Sequence, residues 1–247
     1  MSELQGNSIE FDGFTGYVSR PTGELRGGLI VIHEIWGLVD HIKAVADRFA
    51  AQGYLVVAPD ILSRGGISPE TGAELERLRE SADEEERTRL QPLMREKMTP
   101  VHEPDYGSWA ISALKQVVDW LEVQPGVAGR LAVTGFCFGG TYSFALAAAD
   151  DRVRASAPFY GAPPQTTDYE GFACPVRAFY GRNDPRLMEG LPEVERRMQE
   201  AGVDFAATIY EGAGHAFFND TNSHAYNEEA ATDAWEKVNT FFATTLA

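Results

Sequence analysis

Short apolar runs alternate with amphipathic segments along most of this chain. The apolar runs predict buried β-strands at residues 27–33, 54–58, 130–134, 153–160, 175–180 and 204–211. Helical spacing and glycine stop signals predict helices at residues 40–52, 105–123, 141–149, 190–201 and 223–245. Near-continuous apolar strands separated by helices are typical of a mostly parallel central sheet with helices on both faces, so the predicted fold class is α/β.

Two segments depart from this alternation. Residues 8–20 have strand character around Gly13 and predict an N-terminal antiparallel hairpin. Residues 63–104 are charged, contain four prolines and have a helical middle at 70–97, which is too long for a simple connection. We interpret them as a lid-like insertion within one domain that spans residues 1–247. The alternative is a peripheral excursion without a role in binding.

Composition narrows the class of protein. The 247 residues are 44% hydrophobic and 23% charged, as in an ordinary globular domain. No apolar run approaches the roughly 20 residues that span a bilayer, and residues 1–5 lack the features of a signal peptide. The two cysteines, Cys137 and Cys174, provide no disulfide framework, so we expect a cytoplasmic protein. A net charge of −16 argues against nucleic acid or an anionic membrane as a partner, and a domain of this size is expected to be a monomer.

One motif carries most of the chemical information. Residues 135–140, Gly-Phe-Cys-Phe-Gly-Gly, follow the predicted strand at 130–134 and precede a helix of small residues. The pattern is typical of a nucleophile elbow, a sharp turn from strand to helix, with cysteine in place of serine. The glycines let the neighbouring backbone pass close by, and the turn lifts the central side chain out of the sheet. Cys137 is therefore the candidate nucleophile; the alternative is an inert, buried small residue.

Two further residues follow later strands of the same sheet. Asp184 comes after the strand at 175–180, and His215 comes after the strand at 204–211. Sites in open parallel sheets form beyond the carboxyl ends of the strands, so both residues are expected near Cys137. The order nucleophile, acid, base is that of an α/β-hydrolase fold. His215 would take the thiol proton and return it to the leaving group, while Asp184 would fix the imidazole tautomer.

The other candidates are interpreted as structural. We expect the remaining histidines considered as rivals to His215 to lie at the surface or in the insertion: His41, His102 and His224. Asp60 follows a strand but precedes the elbow, and is expected to be a turn or helix-capping residue. Cys174 precedes a proline at a strand entrance and is expected to pack in the interior.

The loop after the first long strand contains His33-Glu34-Ile35-Trp36-Gly37. An α/β hydrolase places an oxyanion-hole donor in this loop and another directly after the nucleophile, so the backbone amides of Ile35 and Phe138 are the candidates. Glu34 is unusual at the mouth of an anion-stabilising site, and the simple alternative is a salt bridge with an arginine of 63–104. The His-Glu pair lacks the spacing of a zinc motif, and we expect neither a metal nor a cofactor.

Taken together, these motifs resemble the dienelactone hydrolase family. The resemblance rests on residues 31–37, 57–60, 135–140, 181–184 and 214–217, which follow one another in the family's order over nearly the whole chain. It implies hydrolysis of a small enol lactone, dienelactone to maleylacetate, in aromatic degradation. It also implies that Glu34 interacts with the resting thiol and receives its proton when substrate binds, which protects Cys137 from oxidation.

The sequence departs from the family at the substrate-binding arginines. The family holds the carboxylate of dienelactone with two arginines, and the position of one of them, four residues after His215, is Asn219 here. Candidates for the other are Arg87, Arg89 and Arg95. An amide holds a carboxylate less well than a guanidinium does. The alternative function is therefore a general carboxylesterase or thioesterase for neutral acyl groups, and an alternative of a different class is a non-catalytic binding protein.

Overall fold

Eight strands form one continuous sheet in the computed structural model, which describes residues 4–81, 83–103 and 105–247, apart from the side chain of Arg87. The strands are β1 (Asn7–Phe11), β2 (Phe14–Ser19), β3 (Gly27–Ile32), β4 (Tyr54–Pro59), β5 (Leu131–Phe136), β6 (Val153–Phe159), β7 (Val176–Gly181) and β8 (Phe205–Tyr210). Their order across the sheet is β1-β2-β4-β3-β5-β6-β7-β8. The β1–β2 hairpin is antiparallel, β2 pairs antiparallel with β4, and all other pairs are parallel.

Seven α-helices flank this sheet in the described part of the chain. They are α1 (Asp40–Ala51), α2 (Pro69–Glu80), α3 (Glu84–Lys97), α4 (Tyr106–Glu122), α5 (Phe138–Ala149), α6 (Pro185–Glu200) and α7 (Glu228–Thr245). Side chains of α1 and α7 pack on one face of the sheet, and side chains of α4, α5 and α6 pack on the other. The predicted α/β fold with an N-terminal hairpin and helices on both faces is confirmed.

The central strands are buried from end to end. Every residue of β3, β4 and β5 is buried, because helices cover both faces of a parallel sheet. In β3, Leu29 and Val31 face the α1–α7 side, whereas Ile30 and Ile32 face the α4–α5 side. This burial explains why the strands read as continuous apolar runs in the sequence.

Two helix boundaries differ from the prediction. Helix α6 begins at Pro185 rather than at residue 190, because Pro185 is preorganised for a first helical turn and Asp184 accepts a hydrogen bond from the Leu187 amide at 3.3 Å. Helix α7 begins at Glu228 rather than at residue 223, with Asn227 as its N-cap. The first residues of the predicted helix at 223–245 therefore belong to the loop that precedes α7.

In the described residues of the segment at 63–104 there are two α-helices, α2 and α3. Leu75 and Leu78 of α2 are buried, and Leu75 belongs to the same core cluster as the α4 residues, whereas much of α3 is exposed. None of the helices in the described residues is both long and apolar enough to cross a membrane.

Candidate active site

Cys137 lies in a strained turn between β5 and α5. Its backbone has φ 55° and ψ −109°, a conformation that side-chain-bearing residues rarely adopt. The flanking glycines are required by close backbone contacts, since a Cβ on Gly135 would overlap the carbonyl of Gly139, and one on Gly139 would lie 2.6 Å from the His33 carbonyl oxygen. The backbone thus has the geometry expected of a nucleophile elbow.

Asp184 and His215 meet at the same edge of the sheet as Cys137. The Nδ1 atom of His215 lies 2.5 Å from Oδ2 of Asp184, and the side chain of Cys137 is close enough to His215 to act on its pKa. The three side chains follow β5, β7 and β8, which are separated in sequence but end at the same carboxyl edge of the sheet.

The charges of this cluster depend on one another. Burial disfavours the imidazolium form of His215, but its hydrogen bond to Asp184 and its interaction with Cys137 outweigh that effect and raise the pKa of His215 to about 10. Burial also opposes the charge on Asp184, yet the hydrogen bond and charge of His215 lower the pKa of Asp184. The buried carboxylate, whose side chain is 8% exposed, therefore orients and charges a ring that remains 45% exposed.

Glu34 has two partners that the sequence analysis did not identify. Tyr160 donates its hydroxyl to Oε1 at 3.1 Å, and Asn219 donates Nδ2 to Oε2 at 2.6 Å. The partners are thus a tyrosine and an amide rather than an arginine of 63–104. Tyr160 follows β6 with φ 37°, and its ring lies 5.2 Å from that of His215. Burial, followed by the charges of Glu34 and Cys137, raises the pKa of Tyr160 well above its usual value, so the hydroxyl remains a donor.

Asn219 does not lie free to bind substrate. It is fully buried, and its Oδ1 accepts hydrogen bonds from the amide and the hydroxyl of Thr221 at 3.0 and 2.7 Å. Its amide nitrogen is occupied by Glu34. The residue at this position therefore holds Glu34 and the loop after His215 together.

His33 adjoins both loops that carry the oxyanion-hole candidates. It is fully buried, its Nδ1 lies 2.8 Å from the carbonyl oxygen of Glu34, and its Nε2 accepts a hydrogen bond from the Ile61 amide at 3.2 Å. Its ring is parallel to that of Phe138. Ile35 and Phe138, whose amides are the candidate donors, are both partly buried at this edge of the sheet.

The remaining candidates take structural positions, with one correction. The expectation that His41 lies at the surface is wrong: it is 5% exposed, and its Nδ1 lies 3.1 Å from Asp220 because α1 packs against the loop after His215. His224 is exposed as expected, but in the loop before α7. Asp60 accepts a hydrogen bond from the Ser63 amide at 3.0 Å, as a turn residue does.

Cys174 and His102 are the two remaining candidates. Cys174 is buried, and burial raises the pKa of its thiol to about 12, so it has the character of a packing residue. His102 lies in a short 3₁₀ turn, Thr99–His102. Among the described residues, no three histidine, cysteine or acidic side chains are grouped in a way that could hold a metal ion.

Comparison with known proteins places the chain in a family. The sequence model of the dienelactone hydrolase family matches residues 14–246. The chain belongs to the dienelactone hydrolase family. A relative from Saccharolobus solfataricus, provisionally assigned as a carboxymethylenebutenolidase, is 34% identical over 86% of this chain and 87% of its own length. A Salmonella typhimurium relative with the same provisional assignment is 29% identical over 94% of this chain and 83% of its own length.

Solved structures agree with this membership. A crystal structure of a Klebsiella pneumoniae protein, provisionally assigned as a dienelactone hydrolase, has a TM-score of 0.78 at 26% identity and covers 97% of both chains. Another dienelactone hydrolase-like protein, the promiscuous phosphotriesterase P91, shares the fold with a TM-score of 0.73 at 22% identity. The chain is therefore an α/β-hydrolase-fold enzyme that hydrolyses ester or lactone bonds in small molecules.

In this dienelactone hydrolase family member, an arginine that was not among those expected from the sequence contacts two loops of the site. Arg89 and Arg95 are exposed on α3, and the side chain of Arg87 lies outside the described residues. Arg79 of α2 instead packs over the Trp36 ring at 4.9 Å and donates Nη2 to the Thr221 carbonyl at 3.2 Å. Helical spacing indicated α2, but no local signal pointed to Arg79, because its position depends on how α2 packs across two distant loops.

Proposed function

We propose that this protein is a cysteine-dependent hydrolase of small lactones or esters that acts through an acyl-enzyme intermediate. The observation that carries the proposal is the grouping of Cys137, held at a positive φ, with an imidazole, that of His215, which is hydrogen-bonded to Asp184. A nucleophile held at a positive φ costs stability, and such strain persists where the surrounding structure enforces it. A binding protein without catalysis has no use for this arrangement.

In the acylation step, the thiol proton of Cys137 is held by His215, and the sulfur attacks the carbonyl carbon of the substrate. The negative charge that develops on the carbonyl oxygen is stabilised by the backbone amides of Ile35 and Phe138. The carbon–oxygen bond then breaks, and His215 gives its proton to the departing oxygen. With a lactone, the departing alkoxide or enolate stays attached to the acyl group on sulfur.

In the deacylation step, water attacks the thioester carbonyl. His215 accepts a proton from the water, the same two amides stabilise the oxyanion, and the proton returns to the sulfur as the carbon–sulfur bond breaks. Asp184 keeps the imidazole in one orientation through both steps. The net reaction consumes one water and leaves one carboxylic acid and one hydroxyl group.

The candidate substrate is dienelactone, because the chain belongs to the dienelactone hydrolase family and is similar to relatives that are provisionally assigned as carboxymethylenebutenolidases. A specific observation favours the alternative, an esterase or thioesterase for neutral acyl groups. Asn219 is buried and occupied by Glu34, so one of the two positions that would bind the substrate carboxylate does not present a cation. Arg79 is then the candidate for the other carboxylate-binding position, because its Nη1 is buried and has no hydrogen-bond partner among the described residues.

The test compares kcat/KM for dienelactone and for p-nitrophenyl acetate. Cys137→Ala is expected to abolish both activities, and unchanged turnover in that variant would refute the proposed function. A large preference of the parent protein for the neutral ester would select the alternative. Arg79→Met is expected to lower kcat/KM for dienelactone by roughly tenfold or more while leaving the neutral ester within a few-fold, since one charge-assisted hydrogen bond is lost. Arg89→Met, at an exposed position of α3, is the matched control.

A further inference from the structure

His33 makes contacts that the proposed chemistry does not yet use. It follows β3 and is fully buried, with both ring nitrogens in hydrogen-bonding contact. The Ile61 amide can only donate, so Nε2 of His33 must be the acceptor and the ring proton must reside on Nδ1. Nδ1 therefore donates to the carbonyl oxygen of Glu34 at 2.8 Å.

A second proton on His33 would remove the acceptor at Nε2, but the surroundings keep the ring neutral. Burial lowers the pKa of His33, and this effect exceeds the opposing charges of Asp60 and Glu34. Asp60 is itself engaged by the amide and the hydroxyl of Ser63. His33 is thus held in a single tautomer, which donates from one nitrogen and accepts at the other.

The hydrogen bond to Glu34 has a consequence for the next residue. The carbonyl of Glu34 and the amide N–H of Ile35 belong to one planar peptide group, and in a trans peptide these two bonds point in opposite directions. Turning the carbonyl toward His33 therefore turns the Ile35 N–H away from His33. The same carbonyl also accepts the Gly37 amide at 3.1 Å, which closes the turn.

The His33 side chain also lies beside Phe138, the residue directly after the nucleophile. The His33 ring is parallel to the Phe138 ring, with an interplanar angle of 2° and ring centroids 5.8 Å apart. Gly139 approaches the carbonyl oxygens of Ile32 and His33 so closely that a Cβ there would overlap them. His33 thus contacts the Glu34–Ile35 peptide and the Phe138 side chain through its ring, and the Gly139 backbone through its own carbonyl.

We propose that His33 is a positioning residue that aims the Ile35 amide into the oxyanion hole and fixes it relative to the Phe138 amide. This inference rests on the proposed function, because it concerns the same acyl transfer. It assigns His33 no contact with substrate and no proton transfer. Its effect is confined to the step in which negative charge develops on the carbonyl oxygen.

The experiment uses two reactions of Cys137 in His33→Phe. Phenylalanine retains a ring that can stack on Phe138 but removes both hydrogen bonds. Ester hydrolysis needs the oxyanion hole, whereas alkylation by iodoacetamide displaces iodide from carbon and forms no oxyanion. We expect kcat for p-nitrophenyl acetate to fall by roughly 10- to 100-fold, somewhat less than the loss of a whole donor, with KM nearly unchanged. The alkylation rate is expected to stay within about twofold of the parent rate.

A surface variant and a conservative pair complete the design. His224→Phe, at an exposed position, is expected to leave both rates unchanged. His33→Asn places an amide N–H where Nδ1–H lies, and is expected to retain more of kcat than His33→Gln, whose amide reaches the Nε2 side. This pair carries the test if His33→Phe does not fold.

Each remaining outcome distinguishes the two proposals. An unchanged kcat in His33→Phe, or equal losses in the Asn and Gln variants, overturns the role of His33. A parallel fall in hydrolysis and alkylation also overturns it, since it would mean a general disturbance of Cys137. Hydrolysis that persists in Cys137→Ala would instead refute the proposed function, whatever the His33 variants do.

Discussion

At the scale of single residues, the site is built from charges that are unfavourable alone and favourable together. The Asp184 carboxylate is nearly buried, and its cost is offset by the His215 imidazolium at 2.5 Å. Glu34 is likewise buried and satisfied by donors from Tyr160 and Asn219. Removing one member of either group leaves a buried polar or charged side chain without its partner, so effects on activity and on stability are expected to appear together.

Asp184→Asn tests the link between charge and stability. The amide retains the helix cap but removes the negative charge beside His215, so hydrolysis is expected to fall roughly 10²- to 10⁴-fold. Because the folded pKa of His215 is raised from 6.5 to about 10, the stabilisation is fully present below pH 6.5 and is lost as the pH rises through about 10. Urea unfolding at a series of pH values should therefore show the largest deficit of the variant near pH 6.5 and a shrinking deficit toward pH 10. A deficit that grows with pH over this range would contradict the assignment.

Glu34→Gln tests whether the charge of Glu34 reaches Cys137. The charges of Glu34 and of Cys137 both raise the pKa of the Tyr160 hydroxyl. Removing the negative charge of Glu34 is expected to move the pH midpoint of Cys137 alkylation by iodoacetamide to lower pH, because charge on sulfur then meets less repulsion. Glu74→Gln, an exposed carboxylate of α2, is the control. An unchanged profile would remove Glu34 from the mechanism.

At the scale of elements, α2 connects two loops of the site. Its first turn packs on the loop after β3, since a Cβ at Gly72 would overlap the carbonyl oxygen of Trp36. Its end contacts the loop after His215, where Glu80 accepts a hydrogen bond from the Ser223 amide at 3.3 Å and Arg79 donates to Thr221. These contacts support the interpretation of residues 63–104 as a lid-like insertion over the site, which we retain as a proposal.

Gly72→Ala tests the packing of α2. In an isolated helix, alanine is favoured over glycine by about 1 kcal/mol. Here the added methyl group displaces α2 from Trp36, and we expect a loss of roughly 1–3 kcal/mol in the free energy of unfolding together with a lower kcat/KM. Gly190→Ala on α6 meets no atom within 4 Å and is expected to stabilise the protein by about 0.5–1 kcal/mol. Equal effects of the two substitutions would show that α2 is not seated on the site loop.

At the scale of the whole molecule, the net charge of −16 acts on any charged substrate before it reaches the site. An anionic lactone is repelled by the protein as a whole, and salt screens this repulsion over about 10 Å at 0.1 M. A neutral ester experiences no such force. The monomeric state and the cytoplasmic location remain predictions, and light scattering in solution tests the first.

Salt dependence separates the two substrate classes. When ionic strength is raised, kcat/KM for dienelactone is expected to increase by up to a few-fold, because the association of like charges is screened. For p-nitrophenyl acetate, kcat/KM is expected to stay constant over the same range, which makes it the internal control. A fall in kcat/KM for dienelactone with salt would mean that local attraction, such as that of Arg79, dominates the encounter.

The sequence by itself determined the alternation of strands and helices and the positions of Cys137, Asp184 and His215. These features are local: apolar runs mark buried strands, and the site residues directly follow strands whose carboxyl ends share one edge. Only the tertiary structure decided which side chains surround Glu34. Its bond to Asn219 joins residues 185 positions apart, and such a contact depends on strand order and loop packing rather than on any neighbouring residue.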